Sequence, residues 1–334
     1  MTDTSEISKT DTLDNTLEIS QAYAKIRVVR QQLNAVVIGQ ENVIDQVMIA
    51  LFAGGHVLIE GVPGLGKTLL VKSLAKCFDG HFKRIQFTPD LMPSDVTGHS
   101  IYDAKEGKFR LRQGPIFTNL LLADEINRAP AKTQAALLEV MQERSVTIDG
   151  SPRNVPIPFM VLATQNPIEQ EGTFPLPEAE LDRFLLKVYI DYPSLENELK
   201  FTRLVTGDIN DEAMQKKVEP CISAADVELI QAMAVRVTVD QKVLEYAVNI
   251  VRATREHVLI HQGAGPRASI GLVRCARVYA LLHERDYVTP ADIKAIAIPS
   301  LRHRVSPTAE AEIDGQTSDV ILQQLIESID APRL

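Results

Sequence analysis

Gly61-Val62-Pro63-Gly64-Leu65-Gly66-Lys67-Thr68 stands directly behind the apolar run Val57-Leu58-Ile59. Strand, glycine-rich loop and helix in that order are what a phosphate-binding loop requires. The glycines let the backbone curl until successive N–H groups face one anion, and a helix starting at Lys67 presents its N-terminal dipole to the same point. Such a loop implies a nucleoside triphosphate. Gly61, Pro63, Gly64, Leu65, Gly66, Lys67, Thr68 and Leu69 are the expected contacts, with Lys67 reaching the β- and γ-phosphates and Thr68 holding Mg²⁺.

Further strands read as short apolar runs between turn signals: Arg84 to Thr88, Leu120 to Ala123, Phe159 to Ala163 and Leu185 to Ile190. Helical spacing separates most of them. Continuous apolar strands alternating with helices predict an α/β fold, a parallel sheet covered on both faces with its ligand at the strand C-terminal ends.

The run Leu120 to Ala123 delivers Asp124 and Glu125 to that end. Asp124 suits Mg²⁺ through its water shell, and Glu125 suits orienting and deprotonating an attacking water, which favours hydrolysis over transfer to a substrate hydroxyl. Two acids at a strand end also occur simply as solvating groups, so the pair gains meaning from the upstream loop. A third strand ends in Ala163-Thr164-Gln165-Asn166-Pro167. If it lies between the other two, Asn166 reaches both the γ-phosphate and the water; read alone, an Asn before Pro is a turn residue.

Composition sets outer limits. The 334 residues, 45% of them hydrophobic, suffice for a nucleotide-binding core plus one smaller domain. A net charge of −9 disfavours a broadly basic nucleic-acid surface. Cys77, Cys221 and Cys275 are odd in number and lack metal-ligand spacing, so each reads as a reduced, packed thiol. With no membrane-length apolar run and no signal pattern at the N-terminus, the expected location is cytoplasmic.

The chain resembles the MoxR family of AAA+ ATPases. The matching residues are Val37-Ile38-Gly39-Gln40, the loop Gly61 to Thr68, Asp124-Glu125-Ile126-Asn127-Arg128-Ala129-Pro130, Gln134 to Glu139, Met141-Gln142-Glu143, Ala163 to Pro167, Pro175 to Phe184, and Gly265-Pro266-Arg267-Ala268-Ser269. The strings Asp124 to Pro130 and Pro175 to Phe184 are more specific to this family than the loop is. The resemblance implies an AAA+ P-loop core with a parallel sheet flanked by helices, plus a small all-α lid. It implies ATP with Mg²⁺, and an adenine resting near Val37, Ile38 and Gly39. Arg183 would be an arginine finger entering the neighbouring subunit's site, and Arg267 would be a second sensor reaching the γ-phosphate from the lid of its own subunit. A guanidinium suits both tasks because it stays charged and forks toward phosphate oxygens. Arg128 is the other candidate for a trans arginine, while a salt bridge with Asp182 or Glu180 is the plain alternative for Arg183.

Residues 1–17, rich in Thr, Asp, Ser and Glu, read as a mobile acidic segment, 18–192 as the core and 193–334 as the lid. Helices are expected from Leu17, from Glu41 to Ala53, and through the lid, with Ser223 and Thr289 placed to cap two of them. Two hairpins are expected. One joins His99–Asp103 to Lys108–Arg112, and the other, turning at Asp149-Gly150, joins Ser145–Ile148 to Asn154–Ile157. The family implies a homo-oligomeric ring, a hexamer, that remodels or activates protein clients and works with proteins carrying a von Willebrand factor A domain. A magnesium-chelatase-like subunit and a DNA-stimulated motor are the alternative readings, and a scaffold that merely binds nucleotide is disfavoured by Glu125.

Overall fold

Alternation along each central strand sends successive side chains to opposite faces, and both faces are buried. Val57 and Ile59, Leu120 and Leu122, and Met160 and Leu162 enter one apolar cluster, whereas Leu58, Leu121, Ala123, Val161 and Ala163 enter another. That two-sided burial is why the strands read as unbroken apolar runs. The structure, a computed structural model, describes residues 7–61, 65–166, 172–206 and 218–333.

Helix α1 (Ile7–Asn34) and α2 (Glu41–Phe52) lead into β1 (Val57–Gly61), and α3 (Lys67–Cys77) follows it. The first helix starts at Ile7, earlier than the Leu17 read from apolar spacing, so the segment taken as a mobile lead-in is helical from Ile7 onward. Helix propagation explains this, since each added residue gains a backbone hydrogen bond once a nucleus exists, even without an apolar stripe. After β2 (Phe78–Asp79) and β3 (Phe82–Gln86) come α4 (Pro93–Thr97) and the hairpin β4 (Gly98–Asp103) and β5 (Lys108–Gln113). Next are β6 (Leu120–Asp124), a 3₁₀ turn at Ile126–Arg128 and α5 (Ala131–Glu143), then a second hairpin, β7 (Ser145–Ile148) and β8 (Ser151–Asn154). Its second strand starts three residues before the expected Asn154, because Asp149 and Gly150, both at positive φ, close a two-residue turn. The core ends with β9 (Met160–Gln165), α6 (Glu178–Leu181) and β10 (Leu186–Ile190).

The central sheet is parallel, in the order β10-β1-β9-β6-β3. The Asn166 strand therefore does lie between the Lys67 strand and the Asp124 strand. At the edge, β3 alternates polar and apolar residues, exposing Arg84 and Gln86 while Ile85 is half-buried.

Helices follow: α7 (Leu195–Thr206), then β11 (Ile222–Ser223), α8 (Ala224–Arg236), α9 (Gln241–Ala253), β12 (Ile260–Gln262), α10 (Pro266–Leu282), α11 (Pro290–Leu301), β13 (Ser306–Pro307), α12 (Ala309–Ile313) and α13 (Ser318–Ser328). Capping boxes start α8 at Ser223 and α11 at Thr289, as their sequences predict. Side chains of α8 to α11 join the cluster that holds Val57 and Ile59; α8 and α10 pack on α2, and α11 packs on β10, so these helices lie on the α2 side of the sheet. The three cysteines are free thiols, but Cys77 and Cys221 are neighbours, since β2 pairs with β11 and the Cys221 N–H donates to the Cys77 carbonyl at 2.8 Å.

Candidate active site

Every strand of a parallel sheet points its C-terminal end the same way, and here that end gathers Lys67, Asp124, Glu125 and Asn166. Gly66 caps α3 at φ 80°, and a Cβ there would meet nothing within 4 Å, so the backbone opens onto free space at the helix N-terminus. Gly61 is needed for a different reason, because a Cβ would approach the Ile190 carbonyl oxygen to 2.6 Å. Pro63 and Gly64 lie outside the described residues. Thr68 and Leu69 occupy the first turn of α3, and Leu65 is half-buried beside the core.

The Lys67 ammonium donates to the carbonyl oxygens of Gly61 at 2.6 Å and Gln165 at 3.3 Å. Burial lowers its pKa, opposed by Asp124, Glu125 and Glu60. A partly desolvated cation on neutral carbonyls, beside an open helix N-terminus, is a place that favours a polyanion.

Around Asp124 the contacts are more specific than the sequence disclosed. Thr164 Oγ1 donates to Asp124 Oδ1 at 2.6 Å, Arg84 donates to Oδ2 at 2.5 Å, and the Glu125 N–H donates to Thr164 Oγ1 at 2.9 Å. Glu125 sits at φ 55° and ψ 51°, left-handed for a non-glycine residue and so strained. Its Oε2 accepts from Gln86 at 2.7 Å and pairs with Arg128 at 3.2 Å. Arg128 is thus engaged with a glutamate of its own chain. Asn166 is buried at 6% exposure, one residue beyond β9. The oxygen donors Thr68 and Asp124 suit Mg²⁺ chemically.

A cavity of about 310 Å³ opens at the same end, lined by Gly39, Gln40, Tyr189, Asp191, Tyr192 and Arg302. Arg302 stacks over the Tyr189 ring at 4.1 Å and pairs with Asp319 at 2.7 Å. Val37 is only 5% exposed, so its side chain belongs to the core and only its backbone is available to a base; Ile38 is half-buried, and Gly39 lines the cavity.

The two remaining arginines lie elsewhere. A second cavity, about 240 Å³, is lined by Gly54, His56, Arg183, Arg267, Arg274 and Arg304 among others. Gly54 and His56 precede β1 and Arg183 precedes β10, so this is the strands' N-terminal end. A five-residue strand separates it from Lys67, roughly 16 Å at 3.3 Å per residue. Arg267 therefore does not reach the phosphate-binding end of its own chain, contrary to the expected second-sensor arrangement. The cause is the docking of α10, whose first turn brings Arg267 to Asp182 at 3.4 Å. Arg183 donates to the Leu138 carbonyl at 3.0 Å and to Gln142 Oε1 at 2.9 Å.

Comparison with known proteins supplies the family. Residues 56–186 match the model of the ATPase family associated with various cellular activities (AAA), and residues 252–325 match the AAA lid domain. The chaperone MoxR1 of Mycobacterium tuberculosis is 41% identical over 91% of this chain and 81% of its own length. The chain belongs to the MoxR family of AAA+ ATPases. The uncharacterized protein YeaC of Bacillus subtilis is 47% identical over 90% of this chain and 93% of its own, and MoxR of Methylorubrum extorquens is 32% identical over 90% and 94%. A solved structure from Cytophaga hutchinsonii, provisionally described as an ATPase, superimposes with a TM-score of 0.89 at 41% identity, covering 97% of this chain and 99% of that one. This MoxR-family chain is accordingly an ATPase.

Sequence reading missed Arg84, Gln86 and Thr164. A signal was present for the first two: polar residues alternating on a strand beside an acid-bearing strand mark a sheet edge at the site, and Gln86 pairs in register with Asp124. Among the described residues no helix is long and apolar enough to cross a membrane.

Proposed function

We propose that this chain is a Mg²⁺-dependent ATPase whose active site is completed between subunits of a homo-oligomeric ring, and that hydrolysis drives remodelling of a protein client. The observation that carries it is the placement of two chemically complementary half-sites at opposite ends of one sheet. One end offers Lys67, Thr68, Asp124, Glu125 and Asn166 to a triphosphate; the other offers Arg183 and Arg267, whose charge has no phosphate to meet within its own subunit. Head-to-tail stacking of copies brings each arginine edge to the next nucleotide edge, and such heterologous contacts form a ring where the rotation between copies closes.

Within that arrangement Lys67 and the α3 N-terminus bind and orient the phosphates, Glu125 takes a proton from water, and Asn166 holds that water. Thr68, and Asp124 through water, would hold Mg²⁺, which when bound would supply charge neutralisation at the phosphates. Arg183 and Arg267 of the adjacent copy neutralise charge that develops as the terminal phosphoryl group departs. A client matured in a chaperone-like way, and a partner carrying a von Willebrand factor A domain, are the classes the family resemblance favours, and a hexamer is the ring size it favours.

The test is ATPase rate per subunit against protein concentration with Mg²⁺, beside sedimentation of the same samples and of Arg183→Ala. The proposal requires a rate that climbs as rings form and collapses in the variant while nucleotide binding persists. A rate independent of assembly overturns it.

A further inference from the structure

Arg304 is a buried guanidinium that follows α11, and every direction of its fork is used. Its Nε donates to Asp182 Oδ1 at 2.7 Å, Nη2 donates to the carbonyls of Phe184 at 2.7 Å and Asp182 at 3.3 Å, and Nη1 donates to the carbonyl of Leu185 at 3.2 Å and to that of Ser300. Its side chain is 3% exposed. The adjacent His303 is also buried and donates through Nε2 to the Phe184 carbonyl at 3.0 Å. Two consecutive lid residues thus grip the backbone on both sides of Arg183. The Asp182 carboxylate held by Arg304 in turn contacts Arg267.

We propose that Arg304 is a positioning residue for Arg183, setting the reach of that arginine into the neighbouring subunit's nucleotide site and so coupling the attitude of α11 to hydrolysis next door. The inference rests on the trans reading of Arg183 given above. Four backbone carbonyls and a carboxylate converge on one group, and only a planar fork with five donors satisfies them together. A shift of α11 therefore moves segment 182–185 with it, because releasing the segment would strand a buried cation and its acceptors. Arg183 has freedom only in its side chain, whose far end rests on Leu138 and Gln142 of α5. Misplacing a catalytic guanidinium by about 1 Å costs on the order of 10²-fold in rate.

Mixed assemblies separate positioning from general stability. Lys67→Ala subunits, which lack their own phosphate site, donate arginines; Arg183→Ala subunits keep a phosphate site and accept them. Mixing the two should restore hydrolysis. Adding Arg304→Lys to the donor should cut that rescue by about 10- to 100-fold. Adding it to the acceptor should leave the rescue in place, with ATP affinity of the acceptor unchanged. His303→Leu, which removes the other lid contact to the Phe184 carbonyl without touching Arg267, should repeat part of the donor-side loss, so the test survives a folding failure of Arg304→Lys. Equal losses on donor and acceptor sides would mean that Arg304 only holds the fold together, and a donor unaffected by either substitution would remove the proposal outright. No rescue in the parent mixture of Lys67→Ala and Arg183→Ala would instead sink the trans reading of Arg183, and this inference with it.

Discussion

Gln86 Nε2 donates to Glu125 Oε2 at 2.7 Å, tying the end of the edge strand to the residue that follows the acid-bearing strand. The same oxygen pairs with Arg128, so the carboxylate proposed as general base rests on two donors. Gln86→Leu removes one of them without touching Lys67. Basal hydrolysis should rise severalfold with ATP affinity unchanged, measured by steady-state turnover beside equilibrium binding. A fall in rate would mean that Gln86 aims the carboxylate rather than restraining it.

Glu125→Gln keeps the shape and removes the proposed base. ATP binding should persist, while turnover drops by about 10² to 10⁴. Single-turnover hydrolysis of bound ATP is the direct readout. Wild-type speed in that assay would remove Glu125 from the proton-transfer role.

Arg267→Ala tests the correction to its placement. If it serves a neighbour, Lys67→Ala subunits, which keep Arg267, will restore hydrolysis to Arg267→Ala subunits in mixed assemblies. An arginine acting within its own subunit could not be replaced in this way. Arg267→Ala alone should retain nucleotide binding.

Stability should fall on mild acidification because of buried histidines. Burial lowers the His56 pKa to about 4, against 6.5 for an exposed imidazole. Its Nδ1 accepts from the Val161 N–H at 3.0 Å and its Nε2 donates to the Met141 carbonyl at 3.0 Å, so the neutral ring is fully used. Between those two values the unfolded chain binds a proton that the folded one refuses. The stability is complete above about pH 6.5 and is lost as the pH falls from there toward 4. From pH 7 to pH 5 His56 should account for about 2 kcal/mol, with His303, also lowered by burial, adding in the same direction. Urea unfolding at the two pH values checks this, and equal midpoints would contradict it.

Asp292 shows the opposite charge logic. It accepts from both terminal nitrogens of Arg285, at 2.7 and 2.6 Å, and from the Thr289 N–H at 2.7 Å, closing the cap of α11. Burial alone would raise its pKa, but those donors outweigh burial and lower it. Its contribution is present above the usual carboxylate pKa of about 4 and is lost as the pH falls from there through the lower value of the folded state. Asp292→Asn should destabilise by about 3 kcal/mol at neutral pH, read by chemical denaturation. A variant as stable as the parent would show that the ion pair contributes no net stability.

Local chemistry was legible in the sequence wherever neighbouring residues act together. The glycine loop before Lys67, the acids ending β6, the boxes opening α8 and α11, and the Asp149-Gly150 turn are each set by a few consecutive residues, so spacing alone specified them. The central position of the Asn166 strand followed only conditionally, because strand order depends on packing of distant segments. Tertiary structure alone decided that Arg84 and Gln86 reach Asp124 and Glu125, since register across two strands sets that meeting. It also decided that Cys77 meets Cys221, that Arg304 grips residues 182–185, and that Arg267 stands at the arginine end of the sheet. Each of these depends on where helices after β10 dock on the sheet, and docking is fixed by the summed burial of many apolar side chains, none of which carries an address readable from its own neighbours.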